Sequence, residues 1–83
     1  MDAQAADAVI RRVLSRIAPE ADLDELGPDD DMSEALDLDS MDFLNVVIAL
    51  KEETAVDVPE SDYPAVRTLA GCARYLADAT GGP

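Results

Sequence analysis

Asp39-Ser40-Met41-Asp42-Phe43-Leu44-Asn45-Val46-Val47-Ile48-Ala49-Leu50-Lys51-Glu52-Glu53-Thr54 is the stretch on which the fold turns. Phe43, Val46, Val47 and Leu50 recur at i, i+3, i+4 and i+7, the spacing of one buried face of an α-helix. Met41, Leu44 and Ile48 form a second apolar stripe at i, i+3 and i+7 on a different side. A helix that is apolar on two sides is either central in a bundle or binds something with its outer side. The run from Phe43 to Ile48 also has the β-branched content of a buried strand. The length of the stretch and its continuation through Ala49-Leu50-Lys51-Glu52-Glu53 favour a helix. Asp39 suits the N-cap, and Asp42 three residues later completes a capping-box-like pair with its carboxylate near the positive end of the helix. A helix is therefore expected over 40–54.

Toward the N-terminus, Val9, Ile10, Val13, Leu14 and Ile17 make one apolar stripe, and a helix is expected over about 3–17. Asp2 is a reasonable N-cap, and Arg11, Arg12 and Arg16 sit late, where the helix dipole favours cations. Ala18-Pro19 ends this helix, because a residue before proline avoids the α region. The loop over 19–38 has no sustained periodicity. It holds Gly27-Pro28, the run Asp29-Asp30-Asp31, and the anchors Leu23, Leu26, Met32, Leu36 and Leu38, with room for a short helical turn around Leu23 to Leu26. Loops this long are usually functional or partly disordered. Leu36 and Leu38 are expected to dip into the core while Asp37 and Asp39 face water.

Toward the C-terminus, Val56-Asp57-Val58-Pro59 reads as extended, and a single turn is expected over 60–63, cut short by Pro64. A last helix over about 68–79 places Leu69, Cys72, Ala73 and Leu76 on one face, and Gly81-Gly82 ends it. The 14 alanines and only three aromatic residues agree with helices rather than a sheet. The expected fold is all-α, one domain over 1–83: a small bundle of three main helices plus one short helix, with a long loop between the first and second.

At 83 residues the chain buries only about 60% of the surface its unfolded form exposes, which leaves no deep cleft between lobes. Nineteen acids against six cations give a net charge of −13. That argues against nucleic acid or an anionic membrane as partner and for basic surfaces on other proteins. The acids are concentrated: 11 of the 19 lie from Glu20 to Asp42, and no Lys or Arg occurs from Ile17 to Leu50. Histidine is absent, which removes the usual general base and the usual metal ligand. An independent enzyme is not expected. A single Cys excludes an internal disulfide and a CxxC site. Met1-Asp2-Ala3-Gln4 is acidic and polar where a signal peptide is basic and then apolar, and no apolar run approaches the roughly 20 residues of a membrane span. A cytoplasmic monomer is expected.

The negative belt surrounds one hydroxyl, Ser40, with Asp37, Asp39 and Asp42 close in sequence. A serine beside an aspartate at a helix start is most often capping chemistry. It is no triad nucleophile, since no histidine exists to take its proton. It remains a possible acceptor for chemistry done by another enzyme, with a phosphodiester there lying near unpaired backbone N–H groups. Cys72, mid-helix on an apolar face, reads as core. An EF-hand reading of Asp29-x-Asp31-x-Ser33 fails: Glu34 stands at the glycine position and Ser40 at the twelfth, so no dedicated metal site is expected. Tyr63 and Tyr75 read as packing residues with exposed hydroxyls.

Asp39-Ser40-Met41, preceded by Leu36-Asp37-Leu38, resembles the Asp-Ser-Leu/Met signature of acyl carrier proteins. The likeness continues through Ala49-Leu50-Lys51-Glu52-Glu53, Val58-Pro59-Glu60, Thr68-Leu69 and Tyr75-Leu76, at the family's spacing from the serine. It covers roughly 36–77 well and the first helix by general pattern. The resemblance implies that Ser40 carries 4′-phosphopantetheine, donated by coenzyme A through a phosphopantetheinyl transferase, with an acyl group held as a thioester on the arm. It implies an acyl-carrier-like bundle, and partner recognition by Asp37, Asp39, Met41, Asp42, Leu44 and Ile48 against basic patches on loading ligases, synthases or transferases. Phe43, Val46, Leu50, Val58, Val66 and Cys72 fall where the family lines an interior that shelters an acyl chain. Asn45 and Lys51 stand where fatty-acid carriers are commonly acidic, Thr54 where a large apolar residue is common, and Pro64 interrupts the short third helix. These departures favour a specialised carrier over the central fatty-acid one. A peptidyl or aminoacyl carrier is the near alternative. An acidic helical interaction module, in which Ser40 merely caps, is the alternative from another class.

Overall fold

Side-chain oxygens open each α-helix among the residues described, 1–81 of the computed structural model. Helix α1 (Ala3–Ile17) starts at Asp2, whose carboxylate accepts the Ala5 N–H at 2.8 Å. Helix α2 (Met32–Ala35) starts at Asp31, α3 (Ser40–Thr54) at Asp39 and α4 (Leu69–Ala79) at Thr68. Two 3₁₀ segments complete the all-α architecture: a turn over Leu23–Glu25 and a helix over Glu60–Val66. Such caps occupy N–H groups that have no partner within the helix, each stabilising by about 1 kcal/mol.

The core is built on α1, which packs against both α4 and α3. Its stripe of Ala6, Ile10, Val13 and Leu14 is fully buried and meets Val46, Val47 and Leu50 of α3 and Leu69, Cys72, Ala73 and Leu76 of α4. Arg12 and Arg16 each donate to one carboxylate oxygen of Glu53, at 2.9 and 3.0 Å, which ties the end of α1 to the end of α3. Helix α3 closes on Ala55 in the left-handed region (φ 61°), and its N–H returns to the Lys51 carbonyl. Among the described residues no helix is long and apolar enough to cross a membrane.

The long acidic loop is ordered by its anchors. Leu26 and Met32 are buried, and Leu23, Leu36 and Leu38 pack against the core. Two backbone bonds fasten it to the approach of α4: the Met32 N–H donates to the Arg67 carbonyl and the Ala70 N–H to the Pro28 carbonyl, both at 2.9 Å. Its aspartates are caps as much as solvated charges. Asp22 accepts from the Asp24 N–H, Asp30 from the Gly27 N–H, and Asp31 from those of Ser33 and Glu34.

Two expectations need correction. The loop contains the one-turn helix α2, which leaves no periodicity because it is four residues long; the Asp31 cap and the buried Met32 make it. The turn expected to stop before Pro64 runs on to Val66. Proline removes only its own N–H from a ladder of short i→i+3 turns. Contacts on either side carry the chain past it: Tyr63 meets Phe43 edge-on with ring centroids 5.4 Å apart, and Val66 is buried. The Tyr75 hydroxyl donates to Asp62 Oδ2 at 2.7 Å and pins the same segment to α4. At the chain end Gly81 is left-handed (φ 73°), while Gly82 lies outside the described residues.

Candidate functional site

The chain enters α3 through a tight reversal. Leu36 caps the end of α2, Asp37 takes the left-handed region (φ 54°), and the Leu38 N–H returns to the Ser33 carbonyl at 2.8 Å. Aspartate is among the few side chains that tolerate this conformation. Leu36 and Leu38 are half-buried against the core, while Asp37 and Asp39 are exposed.

At the start of α3 the capping box is complete. The Asp42 N–H donates to Asp39 Oδ1 at 2.8 Å, and the Asp39 N–H donates to Asp42 Oδ2 at 3.4 Å. The cap is therefore Asp39, and Ser40 is the first residue of the helix proper, exposed to solvent. Both flanking carboxylates are turned to the backbone. The Phe43 N–H is the one that reaches back to the Asp39 carbonyl, so those of Ser40 and Met41 lack an intrahelical acceptor, as first-turn amides do.

A groove of about 390 Å³ opens beside Ser40. Ser40, Phe43 and Leu44 form one wall, Glu60, Tyr63 and Arg67 the other, with Ser33, Leu38 and Asp39 at its edge. The Phe43–Tyr63 edge contact joins the two walls. The outer stripe of α3 is exposed: Met41 at 66%, Leu44 at 40% and Ile48 at 46% are the large apolar side chains open to solvent among the described residues. With Asp37, Asp39 and Asp42 they give one face of mixed apolar and acidic character around Ser40.

The six residues expected to line an interior separate into two groups. Val46, Leu50, Val58, Val66 and Cys72 are at most 4% exposed and lie together in the core. Phe43 is half-buried, packs on that core from outside, and alone of the six lines the groove. Burial pushes the Cys72 thiol up to about 12, which keeps it protonated and unreactive. Among the described residues no set of three acids or thiols converges as a metal site.

Sequence reasoning missed the second wall. Tyr63 gave the signal of an aromatic beside Pro64, but nothing marked Arg67 except its isolation between Lys51 and Arg74. Its place in the groove depends on the Met32–Arg67 backbone bond, which no local pattern announces.

A family model described as a phosphopantetheine attachment site matches residues 8–76. The chain is 27% identical over 74 residues to an acyl carrier protein of Streptomyces coelicolor, covering 89% of this chain and 80% of that one. It is 29% identical over 62 residues to an acyl carrier protein of a Picosynechococcus species, covering 75% and 76% of the two. An acyl carrier protein of Acidothermus cellulolyticus is 29% identical over 56 residues, covering 68% and 67%.

Proposed function

The chain belongs to the phosphopantetheine-attachment family, the acyl carrier proteins, and on that premise we propose that it is a carrier rather than an enzyme, with Ser40 as the attachment residue. The family's prosthetic group, 4′-phosphopantetheine, supplies a terminal thiol that holds an acyl group as a thioester. What carries the reading is that Ser40 does not cap its helix. Asp39 does so, which frees the Ser40 hydroxyl, exposed at the rim of a groove, for modification by an outside transferase.

Each neighbouring residue then has a task. Asp37, Asp39 and Asp42 attract basic patches on the transferase and on acyl-loading ligases, synthases or transferases, giving fast, salt-sensitive encounters. Met41, Leu44 and Ile48 add apolar area to those short-lived contacts. Phe43 separates the groove from a core of Val46, Leu50, Val58, Val66 and Cys72, which would open by small helix shifts to shelter an acyl chain. The chain's cargo would belong to fatty-acid, polyketide or related specialised biosynthesis, with the protein a cytoplasmic monomer that binds neither nucleic acid nor membrane.

Intact-mass analysis after incubation with coenzyme A and a broad-specificity phosphopantetheinyl transferase tests the reading. Wild-type protein gains one phosphopantetheine, and Ser40→Ala gains none. An unmodified wild-type mass, where a control carrier is labelled, overturns it in favour of an acidic interaction module.

A further inference from the structure

Six cations serve a chain of net charge −13, and most are spent on the fold. Arg11 pairs with Asp7 at 2.9 Å, Arg12 and Arg16 share Glu53, and Lys51 lies 3.7 Å from Asp57. Among the described residues, Arg67 and Arg74 have no carboxylate within ion-pair distance. Arg74 lines a separate groove between α1 and α4. Arg67 lines the groove of Ser40.

We propose that Arg67 is a positioning residue for the prosthetic group, its guanidinium pairing with the phosphodiester on Ser40; this rests on the reading of Ser40 above. A phosphodiester at Ser40 brings a further negative charge into a belt that already holds Asp37, Asp39 and Asp42, so its electrostatic cost there is high. Arg67 is the one cation lining the same groove, and a planar guanidinium matches two phosphate oxygens at once. Its backbone is anchored: the carbonyl accepts the Met32 N–H, Val66 before it is buried, and Thr68 after it caps α4. Glu60, on the same wall, repels the diester from its own side and so favours the Arg67 side. Pairing there directs the first part of the arm across the groove, along Phe43 and Tyr63.

The test compares apo and pantetheinylated protein by nuclear magnetic resonance, with conversion to completion verified by mass. Modification shifts the Arg67 Nε–H resonance and slows its solvent exchange by about two- to fivefold, the range an exposed ion pair commands. In Arg67→Gln the phosphorus resonance moves toward that of a phosphopantetheinyl-serine peptide, and in Arg67→Lys it lies between. The side chain is exposed and forms no ion pair among the described residues, so an unchanged melting temperature identifies the Gln variant as folded. Fully modified wild type with an unmoved Arg67 signal, or a Gln variant with the wild-type phosphorus resonance, overturns the role of Arg67 and leaves Ser40 standing. Failure of wild-type protein to gain mass overturns both.

Discussion

At the scale of single residues, Cys72 and Ser40 show how burial assigns chemistry. Cys72 is 1% exposed, and desolvation of its charged form raises the thiol from an ordinary 9.0 to about 12. At about pH 8 the folded protein therefore holds roughly a thousandfold less thiolate at this position than an unfolded chain does. The raised value leaves folding unaffected below pH 9.0, and stability declines as pH climbs from there toward 12, because the unfolded chain loses its proton first. Native apo-protein is expected to resist a thiol reagent at about pH 8 and to react once urea unfolds it. In pantetheinylated protein a single fast thiol then appears, that of the arm. Equal rates before and after unfolding would show that Cys72 is not sealed in the core. Ser40 is the converse: an ordinary hydroxyl made available because its neighbour Asp39 takes the capping bond.

Among the elements, the 3₁₀ helix Glu60–Val66 is held by contacts outside itself, through Tyr63 to Phe43 and Asp62 to Tyr75. A Cβ on Gly71 would stand 2.5 Å from the Ala65 carbonyl oxygen and 2.8 Å from Thr68 Oγ1, the oxygen that caps α4. Alanine normally favours a helix interior over glycine by about 1 kcal/mol. Here the clash is with backbone, which cannot swing aside, and overpacking of this kind costs about 1–3 kcal/mol. Gly71→Ala should therefore lower the urea midpoint, with a change in the Tyr63 and Tyr75 environments; a raised midpoint would mean that the segment stands farther from α4. That contact was not legible in the sequence, whereas α1, α3 and α4 were, because each carries a long apolar stripe and an oxygen-bearing cap. Asp39 and Asp42 were legible as a capping box for the same reason. The passage through Pro64 and the one-turn α2 were not: both are held by tertiary contacts of Tyr63, Val66 and Met32 and are too short to show a period. Half of the groove was readable on α3, while Glu60, Tyr63 and Arg67 needed the fold to bring them there.

On the scale of the whole molecule, a net charge of −13 is confined to 32 × 24 × 20 Å. The Debye length is about 10 Å at 0.1 M salt, shorter than any of these dimensions, so moderate salt screens most of the repulsion across the protein. The attractive pairs to Glu53 are exposed at the arginines, contribute at most about 1 kcal/mol each, and lose less on screening than the excess of acids gains. Raising sodium chloride from about 20 to about 300 mM should therefore raise the melting temperature. The same acids should act with the opposite sign on partners: the added salt slows transfer of phosphopantetheine to Ser40, because it weakens attraction to a basic enzyme surface. Replacing Asp39 and Asp42 with Asn separates the two effects. Asparagine still caps a helix, so the fold is retained, while two charges next to Ser40 disappear. The variant should be modified more slowly than wild type at low salt and at nearly the wild-type rate at high salt. Equal slowing at both salt levels would mean that these carboxylates hold the helix start in shape, and that the field around Ser40 does not guide the transferase.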